Sequence, residues 1–247
     1  MSIMSLLLGT SSGISYGPTP TIDGTAATGQ ASSTTAVSTS TTTLTTALTN
    51  NIIVAIVCIE GTSVTSSGIT NVTASGLTFA KYTTRFIAST AFPGYNILQE
   101  VWYATASSIL TAVTISASTV LFDDATIIAF GVNGCNLSAP FDTGTNLPVH
   151  TTFAGASTTK TVTGINTNSY NPLLIASWYT DINNALNTLD TGYSQIAYVQ
   201  NNGAVKWMYN FVEYKGVSGT AQSSATHNGA TTTSGDVWGC TVFAMTG

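Results

Sequence analysis

The chain carries the same succession of features twice. Residues 50–61 read NNIIVAIVCIEG and residues 171–181 read NPLLIASWYTD, each a short apolar block led by Asn. Each block is followed by the same order of landmarks. Leu77-Thr-Phe-Ala-Lys-Tyr82 corresponds to Gly192-Tyr-Ser-Gln-Ile-Ala-Tyr198, and Val101-Trp-Tyr103 to Val212-Glu-Tyr214, an offset of 111. Asp124-Ala-Thr-Ile-Ile-Ala-Phe130 corresponds to Asp236-Val-Trp-Gly-Cys-Thr-Val-Phe243, an offset of about 112. A near-constant offset over several strand-like blocks is the mark of one β-unit used twice. It restricts the chain to architectures that can be built from two related halves.

The blocks themselves are β in character. From residue 41 onward Thr, Val and Ile dominate, with Gly, Asn and Ser as punctuation at short intervals. Leu110-Thr-Ala-Val-Thr-Ile-Ser alternates at period two, as a strand with one wet face does. Residues 52–59 and 125–132 are near-continuous apolar runs, expected for central strands of a sandwich. Strands are predicted over 42–48, 52–60, 69–74, 77–86, 96–104, 110–116, 124–132, 160–165, 172–180, 193–199, 204–214, 220–227 and 235–245, with a single helical turn over 120–124. The fold class is therefore all-β: a duplicated antiparallel β-sandwich, jelly-roll-like, of two related halves. Residues 41–135 form the first half and 159–247 the second, joined by a turn-rich linker over 136–158 that contains Pro140 and Pro148. Residues 1–40 hold one charged residue, Asp23, a helix-forbidding Gly17-Pro-Thr-Pro20 and a Ser/Thr tract, and are expected to form an extended arm. The apolar head of that arm, Ile3, Met4, Leu6, Leu7 and Leu8, with Tyr16 further on, has nothing nearby to bury against and supplies candidate assembly contacts.

Charge excludes one class of function. Only 6% of the 247 residues are charged, against roughly 25% in an ordinary soluble domain, and the net charge is −5. The five basic residues, Lys81, Arg85, Lys160, Lys206 and Lys215, are scattered. Nucleic-acid binding needs clustered Lys and Arg to displace counterions, so no nucleic-acid partner is expected. Mean hydropathy is +0.29, yet the longest apolar run falls far short of the ~20 residues of a membrane helix, so no membrane span is expected. Hydroxyl groups and Gly replace charge as the polar surface, which suits a chain that is assembled or extracellular. The N-terminus has no basic n-region and too short an apolar stretch for a secretion signal, and release within a virus particle resolves that tension.

Catalytic signatures are missing from the sequence. Paired carboxylates would mark a polysaccharide hydrolase, but the acidic residues show no spacing that puts two on one strand face, and Asp123-Asp124 would point to opposite faces. Asp124 and Asp236 recur at equivalent places before apolar strands, which is turn chemistry. His150 and His227 stand in no metal-ligand pattern, Cys58, Cys135 and Cys240 form no CxxC, and no nucleophile elbow or phosphate loop occurs. No enzymatic activity and no cofactor or metal are expected. The three cysteines read as small buried hydrophobes. Trp102, Tyr103, Trp178, Tyr179, Trp207, Tyr209 and Tyr214 fall within predicted strands, one of each adjacent pair facing the core. Phe92, Tyr95, Phe141 and Phe153 fall in loop-like stretches and are the candidate ligand or partner contacts.

The duplicated blocks, NNIIVAIVCIEG with NPLLIASWYTD and EVWYATA with FVEYKGV, resemble in style the jelly-roll accessory proteins of tailed bacteriophages, over residues 41–247. The resemblance rests on no diagnostic motif and transfers no site residue. It implies a structural virion protein, a capsid decoration, head-fibre or tail component, whose partners are other virion proteins and further copies of itself. A carbohydrate-binding or lectin-like module, secreted or on a virion and facing a cell-surface glycan, is the alternative. A polysaccharide hydrolase is the third reading.

Overall fold

A computed structural model describes residues 17–32, 38–88, 95–153, 158–180, 186–202, 207–231 and 238–247. Among them there are strands but no helix, arranged in four antiparallel sheets. One five-stranded sheet has the order β1 (Thr21–Ser32), β9 (Asp124–Asn133), β3 (Asn51–Gly61), β7 (Asn96–Ala106), β6 (Ala80–Ala88). The second has the order β10 (Val149–Phe153), β17 (Trp238–Met245), β12 (Leu173–Thr180), β15 (Trp207–Gly216), β14 (Ser194–Asn202). A four-stranded sheet runs β2 (Ser38–Leu44), β8 (Val113–Thr119), β4 (Ile69–Ala74), β5 (Leu77–Thr78), and a three-stranded sheet runs β11 (Thr159–Ile165), β16 (Ala225–Thr231), β13 (Leu186–Thr188).

Three apolar clusters stack these sheets into four layers. In β3 the odd-numbered side chains Ile53, Ala55, Val57 and Ile59 pack with Ile69, Val72, Ile115 and Ala117 of the four-stranded sheet. The even-numbered Ile52, Val54 and Ile56 face the other way and pack with Leu173, Ile175, Val212 and Phe243 of the second five-stranded sheet. On the far side of that sheet, Leu174, Ala176 and Trp178 pack with Val162 and Ile165 of the three-stranded sheet. The two five-stranded sheets are thus the inner layers, covered on both faces. An antiparallel sheet normally alternates in hydrophobicity because one face meets water. Here the central strands meet water on neither face, and every residue of β3 and of β12 is buried. The outer strands alternate: β11 reads exposed, buried, exposed, buried along Thr159–Val162. The apolar runs in the sequence are therefore the signature of the inner layers. Burying each large side chain contributes about 1.5–3 kcal/mol.

Two sequence-derived boundaries move. The expected arm over 1–40 includes β1, which pairs with β9 from Thr21↔Asn133 to Ser32↔Asp124, and the start of β2, which pairs with β8. Ala27 of β1 is part of the outer core of the first half. Likewise the expected linker over 136–158 contains β10, the edge strand beside β17, and Asp142 N donates to Ala244 O (2.9 Å). Both segments escape a periodicity search for the same reason. β1 reads TIDGTAATGQAS, with Ile22 its only large apolar side chain, and β10 is half-buried along its whole length. Residues 120–124 form no helical turn; Asp124 opens β9 directly.

The approach to β3 and the approach to β12 are fastened alike. Asp23, buried in β1, accepts hydrogen bonds from Ala47 N, Leu48 N (3.0 Å) and Asn51 Nδ2 (2.8 Å). Asp142, also buried, accepts from Gly144 N (2.7 Å), Asn168 N (2.9 Å) and Ser169 N (2.7 Å). In the first loop Thr46 Oγ1 accepts from Leu110 N (2.9 Å) while Thr46 N donates to Leu110 O; in the second, Thr167 Oγ1 accepts from Gln222 N (2.8 Å) while Thr167 N donates to Gln222 O. A glycine accompanies each aspartate. A side chain on Gly24 would strike Thr45 O and one on Gly144 would strike Asn166 O, both in the residue just before the threonine.

Candidate functional site

The candidate contact residues scatter. Ile3, Met4, Leu6, Leu7, Leu8, Tyr16 and Phe92 lie outside the described residues, as does Asp236. Tyr95 is half-buried just before β7. Phe141 is turned inward: its ring stacks on Tyr82 at 3.6 Å and meets Tyr103 (4.9 Å) and Phe243 (6.0 Å) edge-on, within the central core. Phe153 stacks on Trp178 at 6.0 Å in a different core. The two are not brought together. Trp102, Trp178 and Trp238 are buried and Trp207 is half-buried, so the tryptophans build cores. The aromatic side chains left at the surface include Tyr198 and Tyr170, 55% and 41% exposed. Neither was among the candidate residues, and only the side-chain alternation of β14 hints that Tyr198 faces outward.

Two buried glutamates are engaged inside the protein. Glu100 on β7 is fully buried, and its carboxylate accepts from Lys81 Nζ (2.6 Å), Thr84 Oγ1 (3.0 Å) and Trp102 Nε1 (2.9 Å). The Lys81 ammonium also lies 5.1 Å from the Trp102 ring. Glu213 on β15 is its counterpart in the second half, fully buried and taking Trp178 Nε1–H at 2.9 Å. Its neighbours are different: His227 Nε2 lies 3.0 Å from Glu213 Oε1 and accepts from Trp178 Nε1 (3.0 Å), and His227 Nδ1 lies 3.3 Å from Asp190 Oδ2. Asp190 in turn accepts from Thr191 N (2.7 Å) and Asn228 N (2.8 Å). The row Asp190, His227, Glu213 runs from the rim of a cavity of about 190 Å³, lined by Thr159, Thr188, Leu189 and Asn228, into the core beneath. It is the arrangement closest to chemistry, but the imidazole fills the space between the carboxylates. A hydrolase needs that space for a sugar. Among the described residues no group of His, Cys, Asp and Glu is set to hold a metal.

A second polar layer lies between the two inner sheets, at the end remote from Ile52 and Leu173. Gln99 Nε2 donates to Ser177 Oγ (2.8 Å), which donates to Asn210 Oδ1 (3.2 Å), and Gln99 Nε2 is 3.5 Å from Cys58 Sγ. Burial pushes the Cys58 thiol up to about 12. At one edge Ser32 Oγ of β1 is 2.6 Å from both Asp124 Oδ1 and Asn201 Oδ1 of β14. One hydroxyl has one proton, so Ser32 donates to only one of these two oxygens at a time. Burial raises the Asp124 carboxyl to about 6, against the opposing hydrogen bond from Ser32. At the other edge His150 of β10 bridges Thr83 Oγ1 of β6 (2.9 Å) and Thr241 Oγ1 of β17 (3.0 Å), and Arg85 Nη2 donates to Thr152 Oγ1 (2.9 Å). Burial, with help from Arg85, lowers His150 to about 4. The layer thus ties the two inner sheets together with side-chain hydrogen bonds.

All three cysteines are free, with Cys58 and Cys240 buried and Cys135 half-buried. Comparison with protein-family models, with curated proteins and with solved structures gave no match.

Proposed function

We infer that the chain is a structural virion protein, a decoration, head-fibre or tail component that acts by assembly contacts, built as one jelly-roll unit used twice. The observation that carries this reading is where the charge resides. Lys81 is paired with Glu100, Arg85 is hydrogen-bonded to Thr152, Lys160 is buried, and Lys215 lies over Tyr193 and against Thr191 O. Every described cation is engaged within the fold, and the surface between them is Ser, Thr, Asn and Gly. Such a surface is poorly protected against association, which suits a subunit held in an assembly. The double use of one unit is supported by the matching strand orders, the matching buried glutamates and the matching Asp-Gly-Thr fastenings before β3 and β12. Partners on this reading are other virion proteins and further copies of the chain, in the virion.

Mass spectrometry of purified particles tests the reading, combined with deletion of residues 1–16. Deletion of 1–40 is unsuitable because it removes β1 and the start of β2. The full chain is expected in purified particles at stoichiometric level, and its absence from them would overturn the proposal.

The alternative, a carbohydrate-binding module, is supported by exposed Tyr198 and Tyr170 and by the hydroxyl- and amide-lined cavity beside Asp190, since sugars pair polar edges with an aromatic face. A glycan array decides it: retention on a defined glycan that is lost in Tyr198→Ala or Asn228→Ala supports a lectin. The hydrolase reading has no comparable support.

A further inference from the structure

The end of β1 meets β14 of the second half through a contact that is one proton short. Ser32 Oγ lies 2.6 Å from Asp124 Oδ1 and 2.6 Å from Asn201 Oδ1. Asn201 cannot turn its amide round to supply the missing donor. Its Nδ2 already donates to Ala31 O and, at 3.4 Å, to Ala125 O, and a flip would set Oδ1 against both carbonyls. Asn201 is buried, and among the described residues Ser32 is the donor that reaches its Oδ1. An ionised Asp124 could take only the Ser32 proton, at the expense of Asn201. Its other oxygen, Oδ2, is buried with no hydrogen-bond partner among the described residues. Asp123 beside it disfavours ionisation further, and Glu60, in register across from it in β3, is another acid. Cys58 on β3 and Tyr179 on β12 are kept neutral by burial. β2 and β14 hold no charged residue, and Tyr198 of β14 points out to solvent. Asp23 of β1 pairs at the far end of β9, and Glu213 of β15 pairs with Gln195, six residues before Asn201.

We propose that Asp124, Ser32 and Asn201 form a proton-operated latch between the two halves, closed when Asp124 carries a proton and released when it loses it. In the closed state the Asp124 hydroxyl donates to Ser32 Oγ and Ser32 donates to Asn201 Oδ1, so both short contacts have their proton. On ionisation the Asp124 proton passes to water beside Ser32, which is exposed. Ser32 then turns its hydroxyl to the carboxylate, and Asn201 Oδ1 is left facing an oxygen lone pair at 2.6 Å. A buried acceptor without a donor is costly, so β1 and β14 part at this edge. Burial holds the Asp124 carboxyl near 6, which places the release between pH 5 and 7.5. The opposite edge of the seam, where His150 joins β10 to β6, stays closed over that range because His150 titrates near 4. The seam therefore opens from one side. The latch lies within one chain and does not rest on the assembly reading.

Hydrogen exchange read by mass spectrometry on the full chain tests the latch, at pH 5 and pH 7.5 with intrinsic rates corrected. Amides of β14 (Ser194–Asn202) are compared with those of β12, which report opening of the whole core. In the wild-type chain, protection of β14 relative to β12 should fall about tenfold from pH 5 to 7.5. That is the change expected of a carboxyl raised from 3.8 to about 6. Asp124→Asn carries an amide that donates to Ser32 at every pH, so β14 should stay protected at both. Ser32→Ala breaks the relay, so β14 should be less protected and indifferent to pH. Equal relative protection of wild-type β14 at the two pH values overturns the proposal. So does a tenfold fall that survives in Asp124→Asn, which assigns it to another group, or one that survives in Ser32→Ala, which removes the hydroxyl from the path.

Discussion

His150 and Asp124 sit at opposite edges of the seam between the inner sheets and respond to acid in opposite senses. His150 is held near 4 in the folded chain, below its ordinary 6.5, so the unfolded chain binds more protons between those values. Its contribution is present above pH 6.5 and is lost as pH falls towards 4, up to roughly 3 kcal/mol. Asp124 is raised from 3.8 to about 6, so the folded chain binds the extra proton in that window. Its contribution is full below about pH 4 and is lost as pH rises through 6. The two slopes oppose one another in the wild-type chain, and single variants separate them. With His150→Asn, urea midpoints should rise as pH falls from 7 to 5; with Asp124→Asn they should fall over the same range. Unchanged slopes in both variants would show that neither group is buried as described. At the same scale, Gly239 is fixed by its neighbour across the strand pair: a side chain there would run into the Tyr179 ring, which lies over it in register.

At the scale of elements, the inner strands were legible in the sequence and the edge strands were not. Ile52–Ile59 and Leu173–Tyr179 announce themselves because both of their faces are buried, and an uninterrupted apolar run survives any error in register. β1 and β10 are held by backbone pairing to β9 and β17, which any sequence can supply, and their small or hydroxyl side chains leave no period to detect. The fastenings before β3 and β12 were invisible for a related reason. Asp23 and Asp142 are common turn residues, and all but one of their partners lie 24 to 28 residues away. They also yield a test of the double use of one unit. Asp23→Ala and Asp142→Ala each strip the acceptor from three donors in partly or fully buried positions, so each should cost roughly 2–4 kcal/mol, with similar falls in thermal midpoint. A large loss from one and none from the other would mean that the resemblance between the loops is superficial. The candidate sites were less legible still. Phe141 reads as a loop residue in sequence yet stacks on Tyr82, because the loop that carries it folds back over the central core.

For the whole molecule, the seam between the inner sheets is the deciding contact. Its apolar part carries Ile52, Val54 and Ile56 against Leu173, Ile175, Val212 and Phe243, and its polar part carries Gln99, Ser177 and Asn210. The first strand of each five-stranded order meets the last strand of the other: β1 touches β14 through Ser32 and Asn201, and β10 touches β6 through His150 and Thr83. Separating the halves would expose this entire face. Residues 136–247 expressed alone should therefore form dimers or larger species by light scattering, and a stable monodisperse monomer would show that the seam is dispensable. Buried polar groups at such a seam restrict how the faces can register, since a shifted pairing leaves them without partners.

The sequence by itself determined the all-β class, the placement of the strands with two buried faces and the poverty of charge, because these follow from side-chain chemistry repeated along short stretches. Only the tertiary structure decided that residues 21–32, 38–40 and 149–153 are strands rather than arm and linker. It likewise decided that Lys81 meets the buried Glu100, and that the two five-stranded sheets pack face to face as the inner layers of four. The physical reason is range. Strand character is written within a few residues, whereas edge pairing, the neutralisation of a buried carboxylate and the stacking of two sheets depend on partners far apart in the chain, such as Ala31 and Asn201, 170 residues apart.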